Sequence, residues 1–186
     1  MFKKIAVCKP LLIAWLVGCS ILVLAQSPQP RLGRIATREE IQTADITVLP
    51  NGVGLPVGGG TAREGRQIYD RQCARCHGAQ GNGTQGYPPL TGGQGTLKSD
   101  KPMLTVGSYW PYATNIWDYT RRAMPYDNPG VLTTDEIYSV TAYILRMNNL
   151  VTDADLLDQH SLPKIQMPNK NGFVPDPRPD VKARRR

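Results

Sequence analysis

Cys73-Ala74-Arg75-Cys76-His77 decides how this 186-residue chain is read. Positions 73, 76 and 77 stand at i, i+3 and i+4, so on a helix they share one face. Two thiols three residues apart, followed directly by an imidazole, fit three chemistries. A thioredoxin-like redox pair needs βαβ flanks, and none are legible around residues 73–77. A zinc site needs four ligands, but the chain past residue 25 has no other cysteine, and His160 is its only other histidine. The third chemistry is a c-type haem. Each thiol adds to one vinyl group of the ring, and His77 supplies an axial nitrogen to its iron. Cysteine arithmetic favours this reading.

The start of the chain agrees with export. Lys3, Lys4 and Lys9 precede Leu11 to Ala25, which is apolar or small apart from Ser20. With Val23-Leu24-Ala25 before Gln26, residues 1–25 read as a secretory signal cut after Ala25, and the expected location is the periplasm. The apolar stretch is shorter than the roughly 20 residues of a membrane span. An uncleaved anchor is the second reading, with Ile5 to Val7 extending the run. A lipoprotein box at Leu16-Val17-Gly18-Cys19 is third, because the apolar run continues beyond Cys19. The formal charge of +7 belongs to the ends: from Arg31 to Asp180 there are 15 basic and 15 acidic residues. A nucleic-acid binder would carry a basic stripe on its folded body, and the composition gives none. Eighteen glycines and 16 prolines exceed the usual combined share of about 12%, which predicts a loop-rich protein.

The flanks of the motif predict helices. Thr61-Ala62-Arg63-Glu64 is a capping box that starts a helix, with Gly65, Ile68 and Tyr69 at i, i+3 and i+4. Gly65 costs about 1 kcal/mol against Ala in a helix, a cost that a close helix crossing would justify. Gly78 to Gly83 predicts irregular chain, followed by a turn through Tyr87-Pro88-Pro89-Leu90. Thr114 is the expected cap of a helix carrying Ile116, Trp117, Thr120 and Ala123. Thr133-Thr134-Asp135-Glu136 is a second capping box, followed by Ile137, Val140, Thr141 and Ile144 on one face. Tyr143 on this helix is expected to cross the Gly65/Tyr69 face. No alternating strand pattern of useful length occurs between Thr61 and Val151, so the domain is expected to be all-α.

A sixth ligand for the iron is then sought. Met147 lies at a helix end and is expected to pack, while Met167 and His160 lie in a polar tail. Met124 stands 47 residues beyond His77 at the end of a helical pattern. Pro125 biases it out of that helix, which frees its thioether to face a ligand. Met103, 26 residues beyond His77, is the second candidate. His plus Met ligation raises the haem potential and fills both axial sites, which suits electron transfer.

These features resemble a class I cytochrome c from Thr61 to about Val151. The resemblance rests on Cys73 to His77, Pro88-Pro89-Leu90, Met124-Pro125 and the final helix. It implies that the Pro88 carbonyl accepts a hydrogen bond from His77 and that Leu90 packs on the ring. A closer resemblance, over most of the exported chain, is to the SoxD family. It rests on Leu32-Gly33-Arg34-Ile35-Ala36-Thr37, Gly107 to Ala113, Trp117-Asp118-Tyr119, Arg121 to Pro125, Ala142 to Leu145 and Met167-Pro168-Asn169. That family implies an electron-transfer subunit of a sulfur dehydrogenase, not catalytic alone. Its partner, SoxC, carries a molybdenum cofactor, and a downstream c-type cytochrome or oxidase accepts the electrons. Some SoxD chains carry two haem domains; this chain has one C-x-x-C-H, as a subunit of a sulfite dehydrogenase also would.

The expected organisation is a signal peptide at 1–25, an extended arm at 26–60, the haem domain at 61–151 and a second arm at 152–186. Both arms are rich in Pro or Gly. They nevertheless hold apolar islands at Ile35, Ile41, Ile46, Val48 and Leu49, then at Leu162, Ile165, Met167, Phe173 and Val174. A pure linker lacks such islands, so the arms are expected to wrap the domain or to bind another subunit. Because the ligands precede Val151, trimming from Asp153 is expected to spare the haem and weaken association. The alternative function is a freely diffusing periplasmic electron carrier with no dedicated partner.

Overall fold

The computed structural model describes residues 33–178; the signal-peptide reading and the outer parts of both expected arms lie outside them. The chain divides into two compact units, up to Asp45 and from Ile46 onward. In the first, α1 (Arg38–Ala44) begins at a complete capping box: Thr37 caps Glu40 and Glu40 reaches back to Thr37. No residue of α1 is buried. This helix was not expected, although its Thr37-x-x-Glu40 signature is present in the sequence.

The second unit holds β1 (Gly59–Thr61), α2 (Ala62–Gln72), α3 (Ala74–His77), α4 (Ala113–Ala123), α5 (Thr134–Met147) and β2 (Leu156–Asp158), with 3-10 turns at Thr96–Lys98 and Leu162–Lys164. Both expected capping boxes form, at Thr61/Glu64 and Thr133/Glu136. α4 begins two residues earlier than expected, after Tyr112, and Thr114 does not cap it. Instead Thr114 is buried inside the first turn with its Oγ1 unpartnered; packing has outweighed capping there. β1 and β2 pair antiparallel, Gly60 opposite Leu157. At three residues each, Gly-Gly-Thr and Leu-Leu-Asp are too short to show alternation, so this small sheet was not legible beside the helices.

The core forms where α2 crosses α5. A Cβ on Gly65 would lie 1.9 Å from the Ser139 carbonyl oxygen and 3.0 Å from Tyr143 Cβ. Only glycine permits that approach, which accounts for a poor helix former at this position. The Tyr69 and Tyr143 rings meet beside it at 5.3 Å. Trp117 of α4 packs on Tyr138 of α5 at 5.4 Å, and Tyr138 Oη donates to the Pro56 carbonyl at 2.9 Å. Burial pushes the Tyr138 phenol up to about 12, so it stays a donor at neutral pH.

Residues beyond 151 join this core. Leu157, Leu162 and Met167 are buried in one cluster with Tyr69, Trp117 and Leu145. Asn169 Nδ2 donates to the Tyr109 carbonyl at 2.7 Å, and Phe173 packs edge-on against Tyr109 at 5.3 Å. Trimming from Asp153 would therefore remove core side chains, contrary to the effect expected from sequence. The five-residue spacing, with Pro163 between Leu162 and Met167, hides this burial from any periodicity test.

Candidate functional site

α2 runs into α3 with Cys73 at the junction. The amides of Cys76 and His77 both donate to the Cys73 carbonyl, at 3.1 and 2.9 Å. One helical turn thus carries Cys73, Cys76 and His77 at the i, i+3, i+4 spacing. Both thiols are free. Burial, then the neighbouring Cys76, pushes the Cys73 thiol up to about 12, so it is the neutral S–H at pH 7.

Gly78 ends the turn at φ +79°, where a side chain would be strained. Tyr69 Oη donates to its carbonyl at 2.8 Å. The loop then folds back on the motif. Gly83 N–H donates to the His77 carbonyl at 2.7 Å, and the amides of Leu90 and Thr91 donate to the Gly81 carbonyl at 2.7 and 3.0 Å. Asn148, buried at the end of α5, donates through Nδ2 to the carbonyls of Leu90 at 3.1 Å and Ile144 at 2.9 Å. This scaffold sets the Pro88 carbonyl 2.9 Å from His77 Nδ1. A carbonyl can only accept, so Nδ1 carries the proton and Nε2 keeps its lone pair for a metal.

Met124 is the residue that closes α4, with extended φ −124° and ψ 145°, as a residue before proline favours. Two cavities, of about 280 and 190 Å³, share His77, Pro88, Leu90, Tyr119, Thr120 and Met124. The larger adds Cys73 and Cys76, and the smaller adds Leu104, Val106 and Trp110. All six residues singled out from the sequence (Cys73, Cys76, His77, Pro88, Leu90 and Met124) line the larger cavity. Met103 lines neither and is 46% exposed. Arg75 of α3 and Asp127 beyond Met124 form an ion pair that joins two sides of the larger cavity. Both are exposed, and water screens such a pair to a small net contribution.

Sequence reasoning missed Tyr87, Tyr119 and Tyr126, which line the cleft while remaining 47%, 50% and 79% exposed. Two of them adjoin motif residues, Tyr87 before Pro88 and Tyr126 after Pro125. That adjacency was the available signal. The donor set fits a c-type haem: a largely apolar cleft, two free thiols, an imidazole with Nε2 available and a thioether. Among the described residues no group of three or more His, Cys, Asp or Glu side chains forms an alternative metal site, and no helix is long and apolar enough to cross a membrane.

The cytochrome c family model matches residues 62–148. Two curated relatives resemble about half of the chain. A cbb3-type cytochrome c oxidase subunit CcoP from Azospirillum sp. (strain B510) is 31% identical over 102 residues, 48% of this chain and 32% of that protein. A thiosulfate dehydrogenase from Stutzerimonas stutzeri (strain A1501) is 30% identical over 97 residues, 50% of this chain and 29% of that protein. The chain thus spans about a third of the length of these relatives. A wider likeness is to a chain in the crystal structure of the sulfane dehydrogenase SoxCD from Paracoccus pantotrophus. The identity is 40% and the TM-score 0.73, covering 80% of this chain and 73% of that one. Because that likeness extends well beyond the haem motif and through most of both chains, this chain belongs to the cytochrome c family, as a class I c-type cytochrome resembling SoxD.

Proposed function

We propose that the cleft holds one covalent haem c and that the chain is the electron-transfer subunit of a sulfur-oxidising dehydrogenase. Bound haem supplies reversible one-electron reduction of its iron. Cys73 and Cys76 would hold the ring through two thioether bonds, each S–H adding across a vinyl double bond with sulfur on one carbon and hydrogen on the other. His77 would hold the iron through Nε2. The Pro88 carbonyl fixes that tautomer and raises the basicity of the ring, as outer partners of metal-bound histidines do. Met124 would hold the iron through its thioether sulfur. Leu90, which lines the cleft, would pack on the ring and help keep water from it. With both of these ligands coming from the protein, outer-sphere electron transfer would be favoured over oxygen or peroxide chemistry. The observation that carries the haem reading is the His77 Nδ1 to Pro88 carbonyl contact of 2.9 Å in a cavity also lined by Met124 and both thiols.

The electron donor is a molybdenum-containing, SoxC-like subunit, which performs the bond chemistry on a sulfur compound while this chain relays charge. A downstream c-type cytochrome or oxidase takes the electrons, and the location is the periplasm. The likeness to the SoxCD chain supports this partner. Affinity purification from the periplasmic fraction, followed by metal analysis, tests it. Molybdenum at close to one per haem is expected. A haem protein that elutes as a monomer free of molybdenum would overturn the partnership and leave a free carrier.

A further inference from the structure

The close approach of α2 and α5 at Gly65 has a second result on the surface. Arg63 and Arg66, three apart on α2, and Tyr143 and Arg146, three apart on α5, line one hollow of about 290 Å³ together with Ala62 and Asp153. Three arginines and one aspartate thus line the same concavity. That carboxylate is already taken: Asp153 accepts from Arg146 Nε at 2.9 Å and from its Nη2 at 3.4 Å. Glu64 is taken as well, since its Oε2 accepts from the Thr61 amide and hydroxyl at 2.8 Å each. Among the described residues neither Arg63 nor Arg66 forms an ion pair. The Arg63 amide donates to the Asp153 carbonyl at 3.2 Å, which ties the chain after α5 to the start of α2 at the edge of the hollow.

We propose that this hollow is an oxyanion-binding site for a small divalent tetrahedral anion of the sulfate type. Like charges gathered around one concavity repel, and an anion seated among them removes that repulsion. Three guanidiniums against one carboxylate leave a residual charge of two, which a divalent anion neutralises and a single carboxylate would only halve. Guanidinium groups present several N–H donors each in a fixed plane, so Arg63 and Arg66 of α2, together with the edge of Arg146 that Asp153 leaves open, would engage different oxygens of a tetrahedron. The site is separate from the haem cleft in its lining residues and does not depend on how the iron is ligated.

The test titrates the full-length haem protein with sodium sulfate, replacing sodium chloride at constant ionic strength, and follows amide and arginine Nε–H signals by NMR. Saturable shifts are expected at residues 62–66, 143–146 and 153. Arg63→Gln with Arg66→Gln should weaken the apparent affinity at least about tenfold, as loss of two charge-assisted contacts implies, with the haem spectrum unchanged. Arg66→Gln alone should give an intermediate loss. Arg71→Gln, on the same helix but outside the hollow, should leave the affinity unchanged. Linear shifts that do not saturate, or an affinity untouched by the double substitution, would overturn the proposal. So would acetate binding as tightly as sulfate, since that result would make the hollow a carboxylate site.

Discussion

The segments before and after the helical core look alike in sequence and behave differently. Residues 33–45 and 152–178 are both polar stretches with scattered apolar side chains. The first forms a capped helix, α1, with no buried residue, and Ile35 and Ile41 are 95% and 57% exposed. The second sends Leu157, Leu162 and Met167 into the core and pairs as β2 with β1. The difference lies in the backbone each is tied to. The second segment follows α5, is held by Asp153 to Arg146 and by Leu157 to Gly60, and so meets the core at short range. An apolar island shows that burial is available to a segment; the elements on either side decide whether it happens.

Truncation is the harshest test of that contrast. Removing residues from Asp153 onward takes away three buried side chains and one strand. Each large buried apolar side chain contributes about 1.5–3 kcal/mol, against a total stability of roughly 5–15 kcal/mol for a domain. The shortened protein should lose cooperative thermal unfolding by circular dichroism. Removing residues up to Ala44 should leave the melting temperature of the rest within a degree or two. Equal behaviour of the two truncations would mean that the two segments are buried alike.

Single substitutions resolve the same contrast residue by residue. Leu162→Ala should cost about 2–5 kcal/mol in denaturant unfolding, because it removes buried atoms and leaves a cavity. Ile41→Ala should stay within about 0.5 kcal/mol, as exposed positions usually do. A cost above 2 kcal/mol for Ile41→Ala would mean that α1 packs where no burial is seen.

The smallest effect concerns acid. The amides of Ser161 and His160 donate to Asp158 Oδ1 at 2.7 and 2.8 Å. These bonds, that of Ser161 foremost, hold its carboxyl below the usual carboxylate range. A carboxyl with a lowered folded-state pKa contributes stability above its unfolded value of about 4, and that stability is lost as pH falls through the folded value. Asp158→Asn should therefore lose less stability than the wild type between pH 6 and pH 3, measured as melting temperature. The gap should be modest, since the group is solvated. A steeper acid loss in the variant would assign the turn at Asp158 to some other force.

Local signals in the sequence were the dependable ones. The capping boxes at Thr61 and Thr133 each involve two residues three apart, and both formed as read. Gly65 was legible as a crossing because a poor helix former inside a helix needs a reason. Tyr143, read onto the same face, meets Tyr69 there. The His77–Pro88 contact came from family resemblance alone. Its physical basis is the fold-back of the loop on the Gly81 carbonyl and the grip of Asn148 on Leu90, which are long-range contacts invisible to spacing. Thr114 misled because a capping residue type also packs well. The three tyrosines of the cleft carried no periodic signal at all.

We propose His77 and Met124 as the two iron ligands of one covalent haem. The most direct measurement is the weak near-infrared sulfur-to-iron absorption of the oxidised protein, recorded for wild type, Met124→Ala and Met103→Ala. The band should be present in the wild type, vanish in Met124→Ala while haem stays covalently attached on a denaturing gel, and persist in Met103→Ala. Persistence in Met124→Ala with loss in Met103→Ala would contradict the assignment and move the axial ligand to the exposed loop.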